Sequence, residues 1–316
     1  MKSRWSVWLF AGIAAALAAD GQASPPITVE MVPGRNGFAR FENREHAGNR
    51  IGYRFHEHKP MVEGAVPRDA QEAGIDVQKE LALVRAFETR RGVVRYELEV
   101  KEKEWAPQKW TFLLAPAADG IEMLLQVEAR ETGLNSYYGV QQCFRMSGAT
   151  NEGWRQEVAR TPAFSEFDWW KALESEGKGP ASMTHVLRLG NWEELPARKE
   201  TVGARTPLGV QVDRRLSGGD LAKIPKVGPY EALMLAAVDS GLITRVSRDG
   251  DWISGIYWER TSHVTDHHPA DCLHAILNIG GIPAGGTRVL RGKIYWFRGG
   301  LDELRKRWKQ EFGGSR

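Results

Sequence analysis

Residues 93–100, VVRYELEV, alternate apolar and charged side chains along the chain. In an extended strand, successive side chains point to opposite faces, so the two kinds of side chain would separate. The apolar face would hold Val94, Tyr96, Leu98 and Val100, and the charged face Arg95, Glu97 and Glu99. The stretch therefore predicts a β-strand with one buried and one solvated face.

Similar runs flank this strand and are separated by short turn sequences. They are LALVRAFET (81–89), KWTFLLAP (109–116), IEMLLQVEAR (121–130) and YYGVQQCFRM (137–146). The turn sequences RRG, ADG and ETG lie between runs at the close spacing of antiparallel strands. This part of the sequence predicts an antiparallel meander. No alternation of strands with helices appears, and no glycine-rich phosphate loop follows a strand.

The last third predicts a second set of strands. These are EALMLAAVD (231–239), GLITRVSR (241–248), WISGIYWE (252–259), LHAILNI (273–279) and TRVLRGKIYWF (287–297). Asp249 and Gly250 mark a tight hairpin turn. Residues 301–312, LDELRKRWKQEF, have apolar side chains at helical spacing and predict a short helix that docks on a sheet. We expect an all-β fold, a large antiparallel β-sandwich with a short C-terminal helix.

Residues 1–23 have the features of a secretory signal peptide. Lys2 and Arg4 precede an apolar run from Trp5 to Ala19, and small residues follow. The run is shorter than the roughly 20 residues needed to span a bilayer, so we expect no membrane span. We expect export to the periplasm or the exterior. Residues 24–316 would form a single β-sandwich domain, with an irregular excursion near residues 151–217 that contains a helical-looking patch and the strand MTHVLRL (183–189).

The charge balance argues against a nucleic-acid partner. The formal net charge is +3, and loss of Lys2 and Arg4 through cleavage after Ala18 would reduce it to about +1. Acidic and basic residues are interspersed, whereas nucleic-acid binding requires a basic surface. Cys143 and Cys272 either form one long-range disulfide or remain two buried thiols, because sequence alone does not decide between them.

Residues 263–274, HVTDHHPADCLH, hold four of the eight histidines of the chain. Their spacing matches no metal motif, and Pro269 favours a loop over a helix, so we expect no metal and no cofactor. Histidine also suits acid and base catalysis, because its pKa lies near neutral pH. His267 and His268 are the candidate catalytic residues here, with Asp266 or Asp271 to orient them. A purely structural loop and a metal site are the alternatives.

Two other segments carry candidate site residues. In RIGYRFHEHKP (50–60), His56 and His58 would share one side of a strand and are candidates for substrate binding. In NSYYGVQQCFRM (135–146), alternation places Gln141, Cys143 and Arg145 on one face and Gln142, Phe144 and Met146 on the other. The remaining candidates are Tyr137 and Tyr138 as acid or base, Gln141 as a sugar contact, and Arg145 to hold a carboxylate or sulfate. An edge strand and an ordinary core strand are the alternatives.

The tryptophans suggest a carbohydrate ligand. An indole presents a flat apolar face and one hydrogen-bond donor, which suits stacking on a sugar ring. Trp154, Trp169 and Trp170 lie in polar or irregular surroundings and are candidates for substrate binding, although each could be a packing residue. Core positions are expected for Trp252, Trp258 and Trp296, which lie in predicted strands.

The strand WISGIYWE, the histidine and cysteine stretch, and the ending LNIGGIPAGGTRVLRGKIYWF (277–297) resemble the galactose-mutarotase-like β-supersandwich of secreted carbohydrate-active proteins. The resemblance covers about residues 27–300 at the level of architecture. That superfamily includes sugar epimerases, domains of glycoside hydrolases, polysaccharide lyases and non-catalytic relatives. Its epimerases use a histidine acid and a glutamate base, but their motifs match no positions here, so no catalytic residue is carried over.

The sequence leads to two functional hypotheses. The first is an exported enzyme acting on a polysaccharide, a lyase or hydrolase, in an aromatic-lined groove. The second is a non-catalytic glycan-binding or cell-envelope protein. The enzyme requires that the 263–274 stretch lie beside His56 and His58 or beside the strand that carries Arg145. The glycan-binding protein requires no converging ionisable groups, and a metal-dependent enzyme is a third reading.

Overall fold

The computed structural model describes residues 24–32, 38–55, 84–88, 92–100, 107–136, 140–147, 159–197, 200–221 and 232–313. These residues form seventeen strands and three α-helices. The strands make two large sheets, which confirms the predicted all-β sandwich. Within the described ranges, no helix is both long enough and apolar enough to cross a membrane.

Sheet I has eight strands in the order β1-β2-β3-β8-β16-β15-β11-β12. The pairs are antiparallel except β11 with β12, which run parallel. The strands of this sheet are β1 Ile27–Met31, β2 Phe38–Asn43, β3 Arg50–Arg54, β8 Val140–Arg145, β11 Val202–Arg205, β12 Leu233–Leu235, β15 Thr261–His267 and β16 Cys272–Leu277.

Sheet II has nine strands in the order β10-β9-β13-β14-β17-β7-β6-β5-β4, all antiparallel. The strands of this sheet are β4 Val84–Glu88, β5 Val94–Val100, β6 Gln108–Ala117, β7 Gly120–Ala129, β9 Thr184–Arg188, β10 Asn191–Glu194, β13 Ile243–Val246, β14 Trp252–Trp258 and β17 Thr287–Arg298.

The main hydrophobic core lies between the sheets and is built from the alternating apolar side chains of both. In β5, Val94, Tyr96 and Leu98 are buried, whereas the charged residues between them are only partly buried. Removal of these apolar side chains from water is the main driving force for packing the sheets. The core also contains the three tryptophans assigned to it from the sequence, Trp252, Trp258 and Trp296.

Three parts of the fold differ from the sequence prediction. The meander comprises β4 to β7, but β8 leaves it and joins sheet I. The stretch 263–274 is mostly strand rather than loop, because β15 continues to His267 and β16 begins at Cys272. The run EALMLAAVD forms only the short strand β12. The apolar patterns identified these segments but did not specify their partners, which set the length of a strand and its sheet.

Three helices cover parts of the sheets. Helix α1, Glu166–Ser175, lies in the predicted excursion and is capped by the hydroxyl of Ser165. Helix α2, Pro207–Leu216, packs on β15 so closely that a Cβ on Gly209 would lie 2.0 Å from the carbonyl oxygen of Ser262. Helix α3, Leu301–Phe312, is the predicted C-terminal helix, and its Leu304 packs with Tyr295 and Phe297 on the outer side of sheet II.

Candidate functional site

The face of sheet I that points away from the core carries buried polar side chains in its central strands. The core contains Leu273 and Ala275 of β16 and Phe144 of β8. The residues next to them in the sequence therefore point outward. The outward side chains are Gln141, Cys143 and Arg145 of β8, Cys272 and His274 of β16, and Thr265 and His267 of β15; we call this set the outer polar face. All are buried except His267, which is partly exposed.

Strand register arranges the outer polar face in rows. His267 lies opposite Cys272, and Cys272 lies opposite Arg145. His267 and Arg145 are therefore two strand spacings apart, about 10 Å. In the next row, Thr265 lies opposite His274, and His274 lies opposite Cys143. The fold thus meets the condition set from the sequence, because it brings the 263–274 stretch beside the strand that carries Arg145.

Several contacts link the two rows. His274 Nδ1 lies 3.0 Å from the hydroxyl of Thr265, and its Nε2 lies 3.0 Å from the sulfur of Cys272. Arg145 Nη2 lies 3.9 Å from the same sulfur. The rings of His267 and His274 meet edge to face with centroids 5.5 Å apart. These contacts connect five members of the outer polar face, and its two cysteines also pack with Phe38, Ala159 and Ala270.

An open cavity of about 540 Å³ lies at the β1 to β3 edge of the same sheet. Its wall includes Arg50, which is bonded at 2.6 Å to Glu42 and pairs through its backbone with Arg160. Arg50 is two residues along β3 from Gly52, which lies opposite Arg145. The cavity is lined by Thr28, Glu30, Glu42, Asn43, Arg44, Ala47, Gly48, Asn49, Arg50 and Arg160. The cavity therefore lies on the neighbouring strands, and Arg145, which is buried, is not part of its lining.

His268 belongs to a different cluster, on the inner side of the same hairpin. It contacts a group of buried charged residues that we call the inner ion cluster: Glu166, Arg245, Asp266, His268 and Asp271. Arg245 is at its centre, 2.9 Å from Asp266 and 2.5 Å from Asp271. His268 Nδ1 lies 2.7 Å from Glu166 Oε2, too poorly aligned for a good hydrogen bond, so the contact is chiefly an ion pair. The cluster joins β13, β15 and the start of α1.

Charge interactions determine the protonation of this cluster. Burial alone would lower the pKa of His268, but Asp266 and Glu166 outweigh it and hold that pKa above its ordinary value. Burial would raise the pKa of Glu166, yet Arg245 and His268 lower it to about 2. Burial raises the pKa of Asp266 despite the opposing effect of Arg245. The folded state therefore favours an ionised Glu166 beside a protonated His268.

No protein-family model and no curated protein sequence matches the chain. Among solved structures, it is similar to a galactose mutarotase-like protein from Clostridium acetobutylicum, with 5% identity and a TM-score of 0.40 over 86% of this chain and 98% of that one. It is also similar to a candidate mutarotase from Salmonella typhimurium, with 8% identity and a TM-score of 0.32 over 92% of this chain and 100% of that one. No residue role is taken from either structure.

The predicted site residues separate into three groups. Arg145, Gln141 and His267 lie together on the outer polar face. Trp169 and Trp170 lie in α1, where the ring of Trp170 packs 4.9 Å from that of His268, with the inner ion cluster. Five candidates fall outside the described residues: His56, His58, Tyr137, Tyr138 and Trp154. The catalytic and binding roles stay predictions.

Sequence reasoning missed several members of these clusters. His274 and Thr265 join the outer polar face, and alternation along β15 and β16 could have identified them once those strands were recognised. Arg245 and Glu166 lie 79 residues apart in the sequence, and no local pattern links them. The two cysteines, for which both states were left open, are buried thiols that are not joined in a disulfide.

We expect the stability of the protein to fall as the inner ion cluster loses the proton of His268. Because the folded-state pKa of His268 is raised, its stabilising effect is complete below the ordinary value of 6.5 and is lost as pH rises through the folded pKa. Urea unfolding of the wild type from about pH 6 to 9 should show this decline, with a slope of at most about 1.4 kcal/mol per pH unit. His268→Gln should show a weaker decline, and parallel curves would contradict this role.

Proposed function

We propose that the protein is an exported carbohydrate-active protein that binds an acidic saccharide over the outer polar face of sheet I. The observation that supports this most directly is the position of Arg145 in one row with His267. The planar fork of arginine matches the two oxygens of a carboxylate or sulfate. A saccharide bearing such a group would place its charge at Arg145 and its ring toward His267.

The neighbouring side chains suit the rest of a sugar. The amide of Gln141 offers both a donor and an acceptor, as sugar hydroxyls require. His267 is the most accessible member of the outer polar face and lies about 10 Å from Arg145 across the strands, a separation that one sugar residue and its linkage can span. The face therefore combines a charge contact at one end with a hydrogen-bonding and proton-carrying group at the other.

The same arrangement suits polysaccharide cleavage. In a lyase reaction, a base removes the proton next to the uronate carboxyl group, and a cation stabilises the negative charge that develops on it. We assign the cationic role to Arg145 and the proton transfer to His267, whose side chains would have to converge across Cys272 because the proton is on the carbon bonded to the carboxyl group. In a hydrolase, His267 would act on the glycosidic oxygen or on water. A glycan-binding protein without turnover would need only the charge and hydrogen-bond contacts of this face.

We expect Arg145→Gln to weaken binding of oligouronates or sulfated oligosaccharides about 30-fold or more, because loss of a buried charge contact typically costs 2 kcal/mol or more. Isothermal titration calorimetry of the full chain would measure the change. Arg298→Gln is the matched control, since Arg298 is exposed on sheet II and lies 2.8 Å from Asp251. The proposal would be refuted if the wild type and Arg145→Gln bound acidic glycans with equal affinity. It would also be refuted if the wild type preferred neutral glycans.

A further inference from the structure

Two thiols and an imidazole converge at the centre of the outer polar face. The sulfurs of Cys143 and Cys272 and one ring nitrogen of His274 lie within 4.8 Å of one another, and all three residues are buried. We propose that these three side chains form a binding site for a zinc ion. The proposal stands on these residues alone and does not depend on the carbohydrate ligand.

The backbone holds the three ligands in place. Cys143 and His274 face each other across β8 and β16, and Cys272 is two residues before His274 on the same strand. Both strands are central in sheet I and pair on both sides. Zinc bonds sulfur at about 2.3 Å and imidazole nitrogen at about 2.0 Å, so the atoms bound to one ion lie roughly 3.3–3.9 Å apart. The observed separations, from 3.0 Å to at most 4.8 Å, need only small side-chain rotations.

The hydrogen bond to His274 selects the ring nitrogen that would bind metal. Nδ1 lies 3.0 Å from the hydroxyl of Thr265, and Nε2 points to the sulfur of Cys272. If Nδ1 carries the proton and donates it to Thr265, Nε2 keeps its lone pair toward the thiols. Histidines that bind zinc are commonly oriented in this way through their second nitrogen.

The charges also fit a divalent soft ion. Two thiolates and a neutral imidazole sum to about −2, which balances one Zn²⁺ ion. Arg145 Nη2 lies 3.9 Å from Cys272 Sγ, which places one further positive charge beside the sulfur ligands. Sulfur and imidazole ligands favour zinc over the hard cations that prefer oxygen.

A second set of possible ligands lies in the inner ion cluster and is less suitable. Glu166, Asp266 and His268 also come within 4.8 Å of one another. However, Arg245 already lies 2.9 Å from Asp266 and 3.6 Å from Glu166, so a fixed cation occupies the position that a metal would take. We therefore place the metal site at the two thiols.

The test uses the full chain, purified under reducing conditions, stripped with chelator and dialysed against zinc. We expect about one zinc ion per chain by mass spectrometry of metals. Cobalt in place of zinc should produce a sulfur-to-cobalt charge-transfer absorption. Cys143→Ser and His274→Gln should lose this absorption. Thr265→Val should weaken zinc binding about 10- to 100-fold, because it removes only the hydrogen bond to His274.

The control variant is His263→Gln. His263 is buried like His274, but it lies in β15, and its Nε2 is 3.2 Å from Asp213 rather than near the thiols. The His263→Gln variant should keep the bound zinc. Circular dichroism should show that each variant is folded. The proposal fails if the folded, reduced wild type binds no zinc and gives no charge-transfer absorption with cobalt. It also fails if Cys143 and Cys272 are joined in a disulfide that reductant does not open.

Discussion

Replacing Arg245 with methionine should lower the free energy of unfolding by about 3–5 kcal/mol, the usual cost of removing one partner from a buried ion pair. Arg245 is completely buried. Its guanidinium donates to Asp266, Asp271 and the carbonyl oxygen of Phe164. Without it, His268 would be the only basic member left beside the carboxylates of the inner ion cluster. Their mutual repulsion would then act in surroundings that screen charge poorly.

Urea unfolding at neutral pH measures this loss directly. Arg248→Met provides the control, because Arg248 is partly exposed and donates at 3.1 Å to the carbonyl oxygen of Ser165, near the same helix. We expect the control to change stability by less than about 1 kcal/mol, as is usual for exposed charges. A loss below about 1 kcal/mol for Arg245→Met would show that the carboxylates are neutralised by other means, such as protonation of both aspartates.

His267→Gln should reduce turnover of an acidic polysaccharide by about 100-fold or more while leaving its affinity nearly unchanged, because general acid and base groups contribute factors of this size. His267 reaches the partly exposed edge of the outer polar face, and glutamine keeps the ability to form hydrogen bonds but not to transfer a proton at neutral pH. The measurement is the rate of product formation with a uronate-containing polymer, by the absorbance of the new double bond or by reducing ends.

The matched control is His185→Gln on sheet II, where His185 Nδ1 lies 2.9 Å from the carbonyl oxygen of Met183. It should retain full turnover. Retained turnover in His267→Gln would exclude His267 as the proton-transfer group while leaving the binding role of Arg145 intact. If the wild type binds acidic glycans but converts none of those tested, the glycan-binding hypothesis is favoured over the enzyme.

The strands were predictable because one face of each is packed against the core. The alternation in VVRYELEV predicted which side chains lie inward. In the β8 segment it separated two faces, and the structure places Phe144 and Met146 of one face in the core. The sheet to which β8 belongs was not predictable, since the same alternation suits either sheet. Pairing depends on contacts between strands that are distant in the sequence, and no local pattern encodes them.

The candidate site was predictable only in part for the same reason. His267 ends β15 and His268 begins the turn that follows, so two adjacent candidates lie on opposite sides of the hairpin. The spacing within residues 263–274 gave no metal motif, because the third ligand of the proposed zinc site, Cys143, comes from another strand. The inner ion cluster was missed because its members come from α1, β13 and the β15–β16 hairpin.

The hairpin of β15 and β16 has different chemistry on its two sides, and this affects how it would respond to a ligand. On one side, Asp266 and Asp271 fix it to Arg245 of the opposite sheet. On the other side, His267 lies on the face proposed to bind the saccharide, and His274 is a ligand of the proposed zinc site. A binding surface anchored in this way is preorganised, so ligand binding would cost little conformational entropy in the protein. Weakening the anchor at Arg245 should therefore reduce affinity at a surface that Arg245 does not touch.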